Sequence, residues 1–396
     1  MMKTVNENLN TPIRYEYDVM VAGGGVAGIA AALASARSGA STILCEREYG
    51  LGGLATLGLI TIYLPLCDGN GRQVSFGIAE ELLKLSVKHG YQAMYPKAWL
   101  EGGTLEEKKE KRYEVRYNPH IFATLCEQLL TDAGVKILYG THVCAAEVKN
   151  DRIDAVITES KGGRIAIKAK NYIDATGDAD LAFLSGEHTV VNPAKNPLAS
   201  WYYSSGKEPN ALHQLGFADI PDSDKGQYEI TPISNTRYDG LDAEELTDFM
   251  IKSRQKMLDD VLGKRENDSS LEPNLIPSIP QLRMTRRIDG VFELKDIHAN
   301  THFDNSVGMI GNWRKRGPII EIPYDCLYGK KIKNLITAGR CISSSGDMWD
   351  LTRVIPCCSV TGQAAGTAAA FGTDFESVDI NKLQQKLCAD GVELHI

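Results

Sequence analysis

The stretch VAGGGVAGIAAALASARSGASTILCE, Val21 to Glu46, constrains this chain more than any other. YEYDVM running into Val21 and Ala22 reads as a short buried strand, and the alanine run after Gly28 keeps helical spacing until Gly39. Strand, glycine turn, helix and strand in that order form the opening unit of a dinucleotide-binding fold. Gly23 permits the tight reversal, Gly25 clears a side chain from the path of a pyrophosphate, and Gly28 lets the helix settle on the sheet. The helix N-terminus offers free N–H groups and a partial positive charge to phosphate. Glu46 closes the second strand about 20 residues beyond the turn, where a carboxylate accepts from both hydroxyls of an adenosine ribose and repels a 2′-phosphate. These residues alone leave NAD and FAD both open.

At 396 residues, 43% hydrophobic and 24% charged, the chain has material for two domains. Its net charge of -8 argues against nucleic acid as a partner. No apolar run approaches the roughly 20 residues that span a bilayer, and the first sixteen residues lack the apolar core of a signal peptide. A cytoplasmic protein with no membrane partner is expected. Nine cysteines stand without CxxC spacing, so reduced thiols are expected. His298 and His302 are the only close histidine pair, and HxxxH alone gives no reason to expect a metal.

The texture changes along the chain. Residues 1–14 read as a polar tail, 15–74 as the first part of the nucleotide domain and 75–117 as a helical insertion ending in a charged, solvated stretch. Asn118 and Pro119 open a helix that closes at Gly134, and four strands with hairpin turns follow within 118–190. Residues 191–324, richer in Pro, Asn, Tyr and Trp, read as a substrate domain with one long amphipathic helix near 242–265. KNLITAGR and an alanine–glycine helix return the chain to the nucleotide domain over 325–372, leaving 373–396 as a C-terminal segment. The glycines at 50, 52, 53 and 58 suggest backbone wrapped on a ligand.

The Gly23–Gly25–Gly28 turn with Glu46, the YIDATGDADLA segment and the ending ITAGRCIS…TRVIPCCSVTGQAAGTAAA together resemble the FAD-dependent oxidoreductases of the glutathione-reductase-like flavoprotein superfamily. Within it the chain is most similar to the bacterial group related to the fumarate reductase flavoproteins. The resemblance covers most of the chain and is weakest over 191–280. It implies an α/β fold: a Rossmann-like three-layer FAD-binding domain with a parallel central sheet and a β-meander, plus an inserted α+β substrate domain. It also implies FAD as cofactor, with Gly23, Gly25, Val26, Ala27 and Gly28 at the pyrophosphate, Glu46 at the ribose and Arg47 by the adenine. Gly52, Gly53, Leu54 and Thr56 would follow the pyrophosphate and ribityl chain, Val143 the adenine edge, and Ala175, Thr176 and Gly177 the nucleotide. Gly339 and Arg340 stand where many relatives carry Gly-Asp, and Arg340 cannot accept the ribityl hydroxyls that the acid takes. The start of the last helix, around Thr361, Gly362 and Gln363, would face the flavin pyrimidine edge and favour negative charge there.

The activity implied is hydride transfer between flavin N5 and a small organic substrate, as a dehydrogenase or reductase. A flavin monooxygenase and an RNA-modifying flavoprotein are the alternatives. No second GxGxxG unit is visible, so the electron donor or acceptor is open, as is the oligomeric state. Arg283, Arg286, Arg287 and Arg353 suit either oxyanion recognition or surface salt bridges. Arg286, Arg353 and His298 are the expected catalytic residues, His302, Tyr324 and Asp347 are further acid or base groups, and Cys67 and Cys357 could approach a flavin.

Overall fold

The computed structural model describes residues 4–216, 231–372 and 374–396. The first three residues of the expected tail, the part of the expected substrate domain over 217–230, and residue 373 at the expected start of the C-terminal segment lie outside the described residues.

Strand β1 (Ile13–Ala22) ends in Val19, Met20, Val21 and Ala22, none of which reaches solvent. A continuous apolar run of this kind marks a strand covered on both faces. Val19 and Val21 join the larger core with the helices, while Met20 and Ala22 join a second core on the other side of the sheet. Helix α1 (Val26–Arg37) follows, then β2 (Thr42–Cys45), which is buried throughout. Beyond helix α2 (Ile78–Val87), Asn118 caps helix α3 (Pro119–Asp132), its side-chain oxygen accepting from the N–H groups of His120 and Ile121. Strands β3 (Lys136–Leu138), β4 (His142–Lys149), β5 (Arg152–Ser160) and β6 (Gly163–Asp174) come next.

The sheet runs β3-β2-β1-β6-β5-β4. β12 (Leu335–Thr337) lies beside the last three residues of β6. β3, β2, β1, β6 and β12 are parallel, whereas β4 and β5 form an antiparallel meander on the first half of β6. Between β6 and β12 the chain builds an antiparallel sheet from β7 (Ser200–Ser205), β8 (Ala211–Leu215) and β9 (Glu272–Leu275), and a hairpin of β10 (Ser306–Gly311) and β11 (Ile319–Pro323). Helix α4 (Ala243–Arg265) departs from a simple amphipathic reading: Phe249 and Val261 are buried, yet Ile251, Leu258 and Leu262 are about half exposed.

Helix α5 (Ile355–Phe371) packs along α1, and its small residues set the distance. A Cβ at Gly362 would stand 2.4 Å from the carbonyl oxygen of Ala27, and one at Gly366 2.2 Å from that of Ala31. Ser35 Oγ donates to the Gly366 carbonyl at 3.0 Å across this seam. Helix α6 (Ile380–Ala389) covers the far end. Among the described residues no helix is long and apolar enough to cross a membrane.

Candidate functional site

In open parallel sheets ligands bind beyond the carboxyl ends of the strands. Here β1, β2, β6 and β12 release Gly23, Glu46, Ala175 and Ala338 at neighbouring points, and all four line one cavity of about 170 Å³. The glycine turn forms one wall with Gly23, Gly25, Val26 and Ala27. Gly28 does not reach the cavity; a Cβ there would lie 1.9 Å from the Gly23 carbonyl oxygen, so its role is the seating of α1. A Cβ at Gly25 would meet nothing within 4 Å, which is the open space a pyrophosphate needs. The N-terminus of α1 has no side-chain cap and no acid in its first turn, leaving its leading N–H groups for an anion.

Glu46 is held by backbone. Oε2 accepts from the Gly24 N–H at 2.6 Å and Oε1 from the Glu48 N–H at 2.8 Å, leaving each oxygen a further lone pair. Arg47, Gly52, Gly53, Leu54 and Val143 also line the cavity, and the Gly52 N–H donates to the Gly24 carbonyl at 2.8 Å, fixing that loop beside the turn. Thr56 does not line it; its hydroxyl donates to the Leu51 carbonyl inside the loop.

At the end of β6, Ala175, Thr176 and Gly177 face the cavity, above buried Asp174, which accepts from the Thr176 hydroxyl at 2.7 Å and the Ala182 N–H at 2.8 Å. Burial and the neighbouring Asp178 and Asp174 push the Asp180 carboxyl up to about 6, with Arg286 opposing them. Arg340 lines the cavity as a strut: Nη1 donates to the Leu282 carbonyl at 2.6 Å and Nη2 to Asp178 at 3.0 Å. Gly339 is buried behind it, its N–H donating to Thr361 Oγ1.

The expected start of the last helix is corrected. Pro356 has no N–H to donate and suits a first helical turn, so α5 begins at Ile355 and it is Ile355 and Cys358 that line the cavity. Thr361, Gly362 and Gln363 lie farther along, buried in the helix interior, where backbone N–H groups are spent on the preceding turn. Gln363 Oε1 accepts from the Ile78 N–H at 2.8 Å. Cys358, and not Cys357, lines the cavity, as Cys45 also does; burial pushes the Cys358 thiol up to about 11, so it stays protonated at neutral pH. Cys67 is buried and accepts from the Tyr113 N–H.

A second cavity, about 700 Å³, shares Arg353 with the first. Ile60, Ile62, Leu64, Met94, Trp201 and Trp313 give it apolar walls. Its cations are Arg112, Arg283, Arg314, Lys315, Arg316 and Arg353, against one acid, Glu114, whose carboxyl burial pushes up against the pull of Arg112. Asp350 neutralises part of this set, pairing with Arg353 and at 3.3 Å with Arg314. Arg283 differs. It is 5% exposed, lies 5.3 Å over the Trp201 ring, and donates from Nη1 to the Gln281 carbonyl at 3.0 Å, but it pairs with no carboxylate among the described residues. Burial and the nearby Arg353 and Arg340 push its guanidinium well below the ordinary arginine range. A counterion would relieve that.

Of the three expected catalytic residues Arg353 lines these two cavities and Arg286 and His298 line neither. Arg286 pairs with Asp180 at 2.7 Å and lies over Phe183, while His298 accepts the Lys295 N–H and tilts against Phe292. Tyr324 is buried and donates to the Phe375 carbonyl, and Asp347 lies 3.7 Å from Arg314. Sequence reasoning missed Arg112 and Glu114 by reading their stretch as solvated. The alternation was there to find: Tyr113, Val115 and Tyr117 are fully buried, which turns Arg112, Glu114 and Arg116 to the opposite face.

The sequence profile of the family described as FAD dependent oxidoreductase matches residues 18–200 and 204–387. A thioredoxin reductase of Ureaplasma parvum is 32% identical over 77 residues, covering 19% of this chain and a quarter (25%) of that protein's length. Among solved structures, a flavocytochrome c3 fumarate reductase is 14% identical over 90% of this chain and 78% of its own, with a TM-score of 0.40. A p-nitrophenol 4-monooxygenase of Pseudomonas putida is 12% identical over 95% and 84%, with a TM-score of 0.45. Likenesses this distant say nothing of substrate.

Proposed function

The chain belongs to the FAD-dependent oxidoreductase family, an oxidoreductase with FAD as its cofactor, and on that premise we propose that it exchanges a hydride between the flavin N5 and a small organic anion held in the second cavity. FAD supplies the hydride acceptor or donor. In this reading the first cavity holds FAD: the open face of Gly25 and the uncapped N-terminus of α1 take the pyrophosphate, and Glu46 takes the ribose hydroxyls. The N-terminus of α5, also without a side-chain cap or an acid in its first turn, favours negative charge at the other end.

The observation that carries the substrate class is Arg283. A buried guanidinium without a carboxylate, beside Arg353 and Arg340, is costly unless an anion completes it. A carboxylate fits the planar fork with two parallel hydrogen bonds. Arg353 and Arg283 would fix that group at the junction of the cavities, and Trp201 and Trp313 would cover the apolar remainder. Glu114 would move the accompanying proton, because its raised pKa keeps a proton available where an ordinary carboxyl has lost it. The nine cysteines form no disulfide, which suits a reducing compartment such as the cytoplasm.

The test is anaerobic titration of the purified yellow protein with hydroxy and unsaturated carboxylic acids and with their amides. The flavin should bleach with an acid, or the reduced flavin regain colour with one, while the matching amide does neither. Equal response to acids and amides would remove the anion from the account.

A further inference from the structure

Glu321 is a carboxylate in the wrong place for a carboxylate. It sits in the middle of β11, 1% exposed, and no Lys or Arg pairs with it among the described residues. Its charge partners are two histidines remote from each other in sequence. His302 Nδ1 lies 3.6 Å from Oε1, and His395 Nδ1 lies 3.1 Å from Oε2. The imidazole rings are tilted 42° to each other with centroids 4.5 Å apart, and one ligand atom from each of the three residues falls within 4.8 Å of the others.

We propose that His302, Glu321 and His395 form a binding site for a divalent transition-metal ion of the zinc class. The spacing suits it. Bonds of about 2.0–2.1 Å to nitrogen and oxygen in a tetrahedron put neighbouring ligand atoms about 3.3 Å apart; the two nitrogen–oxygen separations here, 3.6 and 3.1 Å, run to different oxygens of Glu321, so the carboxylate engages the ion through both oxygens or turns to present one. Both carboxylate oxygens are already oriented, Oε2 by the Phe303 N–H at 2.8 Å and Oε1 by the Ile396 N–H at 3.4 Å. His302 Nε2 lies 3.2 Å from Asp304 Oδ1, the carboxylate–histidine relay that fixes a tautomer with Nδ1 free for metal. The buried carboxylate thereby gains a permanent cation.

The three ligands come from the segment before β10, from β11 and from the segment after α6, and none lines either cavity. The ion therefore pins the C-terminal segment to the hairpin, where the Ser306 hydroxyl already donates to the Leu394 carbonyl at 2.7 Å. The sequence shows only the His298–His302 spacing, and His298 takes no part.

Metal-stripped holoprotein, full length and with FAD bound, is titrated with zinc chloride by calorimetry, and its melting temperature is read with and without zinc. Wild type should take up one ion per chain and melt higher with it. His395→Ala and His302→Ala should each lose both effects, and Asp304→Asn, which removes only the relay, should weaken binding about 10-fold. The alanine changes fall on exposed and half-exposed side chains, so visible FAD retention reports that each variant is folded. Absence of stoichiometric uptake by wild type, or uptake undiminished in the double alanine variant, overturns the site.

Discussion

The two cavities that meet at Arg353 are made of different materials. The first is built from backbone: strand ends, two uncapped helix N-termini and glycines that leave room, with Glu46 locked by the N–H groups of Gly24 and Glu48. The second is built from long side chains contributed by segments near 60, 94, 112, 201, 283 and 314. A backbone site is cheap in sequence, because a few glycines at fixed spacing specify it. A side-chain site carries charge, and among the described residues lining this one six are cationic and one, Glu114, is acidic. In the proposed reading the first cavity holds the constant part of the chemistry and the second the choice of substrate.

The comparison breaks most visibly at Gly28. Gly28→Val drives a side chain into the Gly23 carbonyl, an overpacking cost of about 3 kcal/mol or more. Desalted variant should be colourless, with a lowered melting temperature. Glu46→Arg removes the acceptor of the Gly24 and Glu48 N–H groups and, in the proposed reading, places a cation where two ribose hydroxyls would bind. FAD affinity, measured by equilibrium dialysis, should fall about 100-fold or more, since hydrogen bonds to a charged group contribute about 1.5–3 kcal/mol each.

Changes in the second cavity should spare the colour. Glu114→Gln should keep a full complement of FAD yet slow turnover by about 10²-fold, the usual scale for a lost proton donor. The sign of the pH effect follows from the raised carboxyl. For substrate reduction the wild-type rate holds at low pH and falls as pH rises through that raised value, and the variant loses this limb. A wild-type profile flat in the reducing direction would remove Glu114 from proton transfer. Smallest of all is Cys358→Ser: a thiol held protonated by burial, with a value of about 11, contributes no thiolate at neutral pH. FAD content and turnover should stay within about 2-fold, whereas a collapse in turnover would bring thiol chemistry back.

How much was legible follows the same division. The glycine turn and Glu46 were read from local patterns and the ATG strand end from the resemblance, and Gly23, Gly25, Glu46 and Ala175, Thr176 and Gly177 all line the first cavity. The buried first strand and the meander were legible too, since Val19–Ala22 and the hairpin turns between β4, β5 and β6 announce themselves; the order of the strands was not. The start of α5 was misplaced because an alanine–glycine run has no internal landmark, and Pro356, which fixes the first turn, was read as lying just before the helix instead of in it. Gly362 serves the seam with α1, a contact between residues more than three hundred positions apart. Arg112 and Glu114 were hidden by composition. A charged stretch was read as solvated although every second residue from Tyr113 to Tyr117 is buried. Arg286, one of three arginines within five residues, went to Asp180, and only the fold could separate it from Arg283.

The most direct measurement is the visible spectrum of the bound flavin during titration with a carboxylate that bleaches it, in wild type and in Arg283→Gln under the same anaerobic conditions. The account predicts that both proteins start equally yellow and that the variant needs about 10–100-fold more acid for the same change, the loss of a charged hydrogen bond. Identical titration curves for the two proteins would contradict it.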